Sequence, residues 1–259
     1  MDETTARRAA RTLFNEHWNR ARFRPLAAGF GVAALADGYD VQDRYVALLR
    51  ENEGEAVGYK VGLTSTAMQA FCGIDHPVAG VVLANRVHRP GDTIPMSRYG
   101  RLGLEFEIAV RMQSDLPAAV ATPEAIAPHV EGVCGAIELV DDRSADYGRS
   151  DVRSLVADNS WNAGVVLPEF VSPWPDLAAV PGTATCDGSA VGAGHGADIL
   201  GHPFNSVAWL AAHLAARGQA LRAGDIVMTG SVMKTVFPTA PGTYRFELAG
   251  LGSVEVDVA

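Results

Sequence analysis

The chain has little of what a disulfide scaffold, a thiolate metal site or a polyanion-binding surface requires. Its three cysteines, Cys72, Cys134 and Cys186, are far apart, odd in number and never spaced C-x-x-C. Neither a disulfide framework nor a thiolate zinc site is indicated, and a reducing cytoplasm fits. Lys and Arg nowhere cluster densely, and the net charge of −9 argues against a nucleic-acid partner or a polybasic membrane anchor. No apolar stretch is long enough to span a bilayer, and the start, Met1-Asp2-Glu3 running into Arg7, Arg8 and Arg11, has no apolar leader. The expectation is a soluble, unexported, cytoplasmic protein whose partners are small polar molecules. Also missing are G-x-x-x-x-G-K-[ST], H-E-x-x-H and G-x-S-x-G, so nucleotide hydrolysis, zincin chemistry and a nucleophile-elbow hydrolase have no local support. Gly192-Ala193-Gly194-His195-Gly196-Ala197 matches a loose G-x-G-x-x-G/A pattern, but it follows a predicted hairpin and lacks the strand–turn–helix context of a dinucleotide loop.

What is present is an ordinary globular composition: 259 residues with 48% hydrophobic content, enough for one large core or two small ones. From Ala6 to about Ala21, the residues Ala6, Ala9, Ala10, Leu13, Phe14 and Trp18 recur three or four apart and predict a helix face. A second helix is predicted with Asp40 as its N-cap and Tyr45, Leu48 and Leu49 as its buried stripe up to Arg50. The period then becomes two, Val57, Tyr59 and Val61 alternating with Gly58, Lys60 and Gly62, and short extended runs dominate from there. Two later helices are opened by Thr122-Pro123-Glu124 and by about Ser206, the latter running to Arg217 before Gly218. Asp187-Gly188 joins Thr183–Cys186 to Ser189–Val191 as a hairpin, and Ala249-Gly250-Leu251-Gly252 separates Tyr244–Leu248 from Val254–Val258. The Pro-rich stretch 168–181 carries Phe170, Val171, Trp174 and Leu177, which suits a packed crossing better than a tether. The expected organisation is α+β: a helical N-terminal portion, residues 1–55, on one continuous β-rich unit, residues 56–259.

The most informative local feature is Leu104-Glu105-Phe106-Glu107-Ile108-Ala109-Val110, where strand periodicity puts both carboxylates on one face. Glu138 is the one charge in a second strand-like run, 133–140, where leaving it unpaired would be costly. Three converging carboxylates suggest a hard divalent cation, Mg²⁺, Mn²⁺ or Ca²⁺ rather than zinc, with positions left open for water and a chelating substrate. The competing reading is an edge strand whose glutamates form a solvated face. Lys60 sits among apolar and small neighbours, where it either snorkels outward or faces a polar cavity. Its flanking glycines permit close approach of a backbone or a ligand. The segment 156–164, with Asp158, Asn159, Ser160 and Asn162, and the strand end 224–231, with Thr229, Gly230 and Ser231, are donor-rich. Residues like those of the first ordinarily make turns, and the second could orient a carboxylate through hydroxyl and backbone N–H groups or be an ordinary strand end. His76 and His202 each precede a proline and are read as turn residues.

In order along the chain, Lys60-Val61-Gly62-Leu63-Thr64, Glu105-x-Glu107, Ile137-Glu138, Ala157-Asp158-Asn159, Leu200-Gly201-His202-Pro203 and Gly224-Asp225-Ile226 with Thr229-Gly230 resemble the 2-keto-4-pentenoate hydratase and 4-oxalocrotonate decarboxylase branch of the fumarylacetoacetate hydrolase superfamily. The resemblance implies a mixed β-roll core with a helical N-terminal portion, in homo-oligomers. It implies Mg²⁺ or Mn²⁺ on Glu105, Glu107 and Glu138, with Lys60 beside a 2-oxo acid. It also implies Leu63, Asn159, Ser160, Thr229 and Gly230 as substrate-binding positions. One departure stands out: where hydratases of this group carry an acid after the proline matching Pro77, this chain reads Val78. A proton-relay carboxylate would then come from elsewhere, Asp75 and Asp158 being the nearest candidates.

A 2-oxo acid offers its carboxylate and carbonyl oxygens as a chelate, and a divalent cation there stabilises the charge that develops on enolisation. Lys60 would supply charge or shuttle a proton, with its pKa open to depression by burial and the cation. The expected activity is metal-dependent hydration of a short unsaturated 2-oxo acid. The alternatives are decarboxylation of a 4-oxalocrotonate-type acid, acylpyruvate C–C hydrolysis, and a non-catalytic β-rich binding or scaffold protein.

Overall fold

The computed structural model describes residues 1–117 and 120–259. In chain order the helices are α1 (Glu3–Trp18), α2 (Ala27–Phe30), α3 (Leu35–Glu53), α4 (Thr66–Cys72), α5 (Pro123–Ile126), α6 (Val152–Ala157) and α7 (Pro203–Ala216). The strands are β1 (Ala56–Gly62), β2 (Val78–Leu83), β3 (Val87–His88), β4 (Thr93–Ile94), β5 (Leu102–Met112), β6 (Val130–Asp141), β7 (Asn162–Val166), β8 (Pro181–Cys186), β9 (Ser189–His195), β10 (Ile226–Ser231), β11 (Gly242–Leu248) and β12 (Gly252–Val258). They form a mixed seven-stranded sheet, β2-β1-β10-β5-β6-β7-β3, and a five-stranded sheet, β4-β12-β11-β8-β9. Among the described residues, no helix is long and apolar enough to cross a membrane.

The alternation along β5 and β6 decides what each face of the large sheet does. Leu104, Phe106, Ile108 and Val110 pair with Leu139, Ile137, Gly135 and Val133. This face meets the second sheet, with Phe106 lying 5.4 Å from the Phe246 ring of β11. Gly135 leaves room for Leu248, whose Cδ1 would lie 3.0 Å from an added Cβ. The opposite face carries Glu105, Glu107 and Glu138 and then turns small and apolar with Ala109, Ala136, Cys134 and Met228. Because β5 lies between β10 and β6, it is an interior strand, and Glu107 is fully buried. The edge-strand reading of the glutamates does not hold.

The N-terminal helices pack through Ala6, Ala9, Ala10 and Leu13 of α1 against Val41, Tyr45 and Leu49 of α3. α3 begins at Leu35, five residues before the expected cap at Asp40. Asp37, not Asp40, takes the entry N–H groups, accepting from Ala33 at 3.0 Å and Ala34 at 2.8 Å. Gly38 lies within the first turns of α3, where glycine is required because a Cβ would meet Arg153 O at 2.6 Å. α7 likewise starts early, with His202 as N-cap accepting from Phe204 N at 3.0 Å. The Thr122 helix is a single turn. The 168–181 crossing is packed: Val171 exchanges both backbone hydrogen bonds with Val133, and Leu177 and Val180 are buried. Both expected tight connections are present, β8–β9 through Asp187-Gly188 and β11–β12 through Ala249–Leu251.

β1 pairs parallel with β10, and Gly58 faces Ile226 so closely that an added Cβ would lie 2.0 Å from Ile226 O. Gly62, by contrast, has nothing nearer than Lys60 Nζ at 3.5 Å. Gly58→Ala is therefore expected to lower stability by about 1–3 kcal/mol through forced separation of the strands. Gly62→Ala should leave the melting temperature near wild type, and equal melting of the two variants would contradict this account of β1.

Candidate active site and metal centre

Residues opposite each other on an antiparallel pair share a face, and Glu105 lies opposite Glu138, while Glu107 lies two residues along β5. Each of the three offers a carboxylate oxygen within 4.8 Å of the others. Like charges so placed repel, and Glu107 and Glu138 are also fully buried. Each carboxylate has one anchoring donor: Thr235 Oγ1 to Glu105 Oε1 at 2.6 Å, Gly230 N to Glu107 Oε2 at 2.8 Å, and Asn162 Nδ2 to Glu138 Oε1 at 2.9 Å. The remaining oxygens of the buried pair, Glu107 Oε1 and Glu138 Oε2, have no hydrogen-bond partner among the described residues. Orphaned carboxylate oxygens at a shared point form a hard, oxygen-only donor set that fits a divalent cation of the Mg²⁺, Mn²⁺ or Ca²⁺ kind.

Electrostatics gives the same picture. Burial, then the neighbouring carboxylates Glu138 and Glu105, push Glu107 well above the ordinary carboxylate range. Burial raises Glu138 to about 7 against the pull of Lys60. Lys60 Nζ, itself buried, lies 3.2 Å from Glu138 Oε1 and donates to Ser160 O at 3.1 Å. Burial alone would lower its pKa, but the charges of Glu138, Glu105 and Glu107 overcome that and raise it. Burial thus acts in the expected direction, and without a bound cation the three carboxylates facing one ammonium outweigh it.

Lys60, Leu63, Glu105, Ser160 and Thr235 open together into a cavity of ≈ 120 Å³ whose other walls are mostly apolar, among them Met68, Phe71, Val78, Leu155 and Trp161. The chain reaches Ser160 through three consecutive left-handed residues, Asn159, Ser160 and Trp161, with φ of 51°, 49° and 60°. Such backbone persists only when its surroundings over-determine it. Here the Asn159 amide clamps both backbone groups of Val81, accepting from N at 2.7 Å and donating to O at 2.9 Å. Ser160 Oγ also donates to Ala79 O at 3.0 Å. A larger cleft of ≈ 480 Å³ under α1, lined by His17, Arg86, Tyr99 and Asp141 among others, has no comparable group of carboxylates among the described residues.

Several expected site residues stand behind the cavity. Thr229 donates its hydroxyl to Ile108 O at 2.7 Å, and Gly230, at φ +115°, presents its N–H to Glu107. Asp75 lies exposed after α4, away from the cluster. Asp158 is buried and faces the other way: Arg143 Nη2 lies 2.7 Å from Oδ2, and His17 Nε2 lies 2.6 Å from Oδ1. Burial alone would raise its pKa, but His17 and Arg143 hold it below the usual carboxylate range. Both oxygens thus tie α1 to the end of β6, and Asp158 is not among the residues lining the cavity. Sequence reasoning missed Thr235, Asn162 and Tyr147; only Asn162, in the polar run 158–162, carried any signal. Asp158→Asn leaves buried Arg143 short of charge and is expected to cost about 3–5 kcal/mol in denaturant unfolding. Unchanged stability would mean that this ion pair does not lock α1.

Comparison with known proteins agrees with this arrangement. The family model "Fumarylacetoacetate (FAA) hydrolase C-terminal" matches residues 55–259. A 2-keto-4-pentenoate hydratase of Burkholderia vietnamiensis (strain G4 / LMG 22486) is 37% identical over 229 residues, 86% of this chain and 85% of that protein. A 4-oxalocrotonate decarboxylase of Pseudomonas putida is 33% identical over 226 residues, 85% of this chain and 84% of that protein. Among solved structures, 4-oxalocrotonate decarboxylase from Pseudomonas putida G7, complexed with magnesium and adipate, superposes with a TM-score of 0.93 at 27% identity, covering 100% of this chain and 99% of that one. With its fold, its carboxylate cluster and a family match spanning nearly the whole β-rich part, the chain belongs to the fumarylacetoacetate hydrolase C-terminal family.

Proposed function

We propose that the protein is a hydro-lyase, a Mg²⁺- or Mn²⁺-dependent hydratase of a short unsaturated 2-oxo acid of the 2-keto-4-pentenoate type. The observation that carries this is the pair of orphaned, buried carboxylate oxygens on Glu107 and Glu138 beside Glu105 and Lys60 at the base of the cavity. Curated relatives at 29–37% identity that carry hydratase names support the same reaction class. A divalent cation bound there would supply positive charge to the carboxylate and carbonyl oxygens of a 2-oxo acid as it enolises. Lys60, 3.2 Å from Glu138 Oε1, adds an amine group at the same end. Thr235, Gly230 and Asn162 hold the three glutamates so that little reorganisation accompanies charge development. The buried donor set weighs against a scaffold protein with a decorative acidic pair.

A second reading, decarboxylation of a 4-oxalocrotonate-type acid, is favoured by the close superposition on that enzyme and by Val78 where an acid was expected. The cavity favours hydration. A dicarboxylate needs a cation for its far end, and Lys60, already committed to Glu138 and Ser160, is the one Lys or Arg among the lining residues. The purified protein is expected to consume 2-hydroxypenta-2,4-dienoate without releasing CO₂ and to act poorly on 4-oxalocrotonate. Rapid CO₂ release from the latter would establish the second reading instead. Asn162→Ala removes the donor that orients Glu138, so Mn²⁺ affinity should fall roughly 10–100-fold by calorimetric titration. Wild-type affinity in that variant would detach Glu138 from metal binding.

A further inference from the structure

Adding water to a conjugated enone requires a group that holds the water and takes its proton, and this deepens the hydratase reading and rests on it. Most titratable groups on the cavity wall are already committed. Lys60 Nζ is held between Glu138 Oε1 at 3.2 Å and Ser160 O at 3.1 Å, and Glu105 belongs to the carboxylate cluster. Asp151 caps α6, accepting from Ser154 N, Ser154 Oγ and Arg153 Nε. The Cys72 thiol is pushed up by burial. Tyr147 differs. Its hydroxyl donates to Asp142 Oδ2 at 3.0 Å, so its lone pairs are left to accept. Its ring is held edge-on to Trp161 at 5.6 Å, with the Arg101 guanidinium 5.9 Å from its centroid. Asp142 is fully buried and fixed in turn by Arg101, whose Nε donates to Oδ1 at 2.8 Å and whose Nη2 donates to Oδ2 beside the Tyr147 hydroxyl, and by Ser144 N, which donates to Oδ1 at 2.9 Å.

We infer that Tyr147 is a catalytic residue that holds the adding water through its phenolic oxygen, with Asp142 behind it as the proton's destination. The water oxygen forms a bond to the carbon β to the carbonyl, and the C=C electron pair moves toward the carbonyl to give the enolate. The water's proton passes to Tyr147 Oη as the Tyr147 proton passes to Asp142. The enolate's α carbon then takes one proton from solvent while the relay returns one to solvent, so the net change is addition of H and OH. Burial, and after it the charge of Asp142, keep the phenol protonated at neutral pH, so the donor to Asp142 is in place before each turnover.

The test uses Tyr147→Phe, which keeps the ring against Trp161 and removes only the hydroxyl. Hydration of 2-hydroxypenta-2,4-dienoate by the Mn²⁺-loaded enzyme is compared with α-proton exchange of saturated 2-oxopentanoate in D₂O, which needs enolisation but no added water. The expected result is a fall in hydration kcat of roughly a hundredfold, with KM, Mn²⁺ affinity, melting temperature and the exchange rate near wild type. Wild-type hydration in the variant overturns the inference. Parallel loss of hydration and exchange also overturns it, because the residue would then shape the whole site. A wild type that exchanges α protons but hydrates nothing overturns the hydratase reading and this role together.

Discussion

Three carboxylates held against one ammonium in a buried pocket is the constraint on which the rest of the molecule depends. Register alone creates it, since Glu105 opposes Glu138 across β5 and β6 and Glu107 follows two residues on. Two of the three are fully buried, so neither solvent nor salt relieves their repulsion. Lys60 offsets one charge. What remains is an excess of negative charge with oxygens turned toward a common point, which a divalent cation neutralises and a proton can only partly relieve. In a site of this kind, charge balance and function are the same property.

The surrounding backbone is arranged to preserve that geometry. Gly230 puts an N–H on Glu107 from a φ of +115°, where a side chain would strike Thr64. The left-handed run 159–161 aims the Ser160 carbonyl at Lys60, and the Asn159 clamp on Val81 holds that run in place. Gly58 lets β1 approach β10, which brings Lys60 beside the sheet's carboxylate face. The strained run 159–161 thus sits at the cavity wall, where pre-organisation matters more than local stability.

How much of this was legible in the sequence follows from the range of each signal. The Glu105–Glu107 pair, Lys60 and the β-rich order were readable because strand periodicity is local. Whether β5 lay at an edge or in the interior was not, because its neighbour β10 is contributed by residues more than a hundred positions later. The early start of α3 was missed because Asp37 and Asp40 are both capping residue types, and only the contacts of Asp37 with Ala33 and Ala34 N–H distinguish them. Asp158 looked like a site residue within a polar run. The left-handed turn sends Asn159 and Ser160 toward β2 while Asp158 faces Arg143 and His17, and nothing in non-glycine residues announces such a turn. Thr235 and Tyr147 lie in irregular segments with no periodicity to mark them.

The central claim is that Glu105, Glu107 and Glu138 together form a charge-frustrated cation site. The measurement that tests it most directly is thermal unfolding of wild type and Glu107→Gln, each with and without saturating Mn²⁺. Ligand binding to the folded state alone must raise apparent stability. Glu107 in the metal-free protein must either stay charged beside two other carboxylates or take up a proton on folding, and both cost stability at neutral pH. Glu107→Gln should therefore raise the metal-free melting temperature, while the gain on adding Mn²⁺ should be large in wild type and small in the variant. A wild type that gains nothing from Mn²⁺, together with a variant less stable under both conditions, would contradict the account.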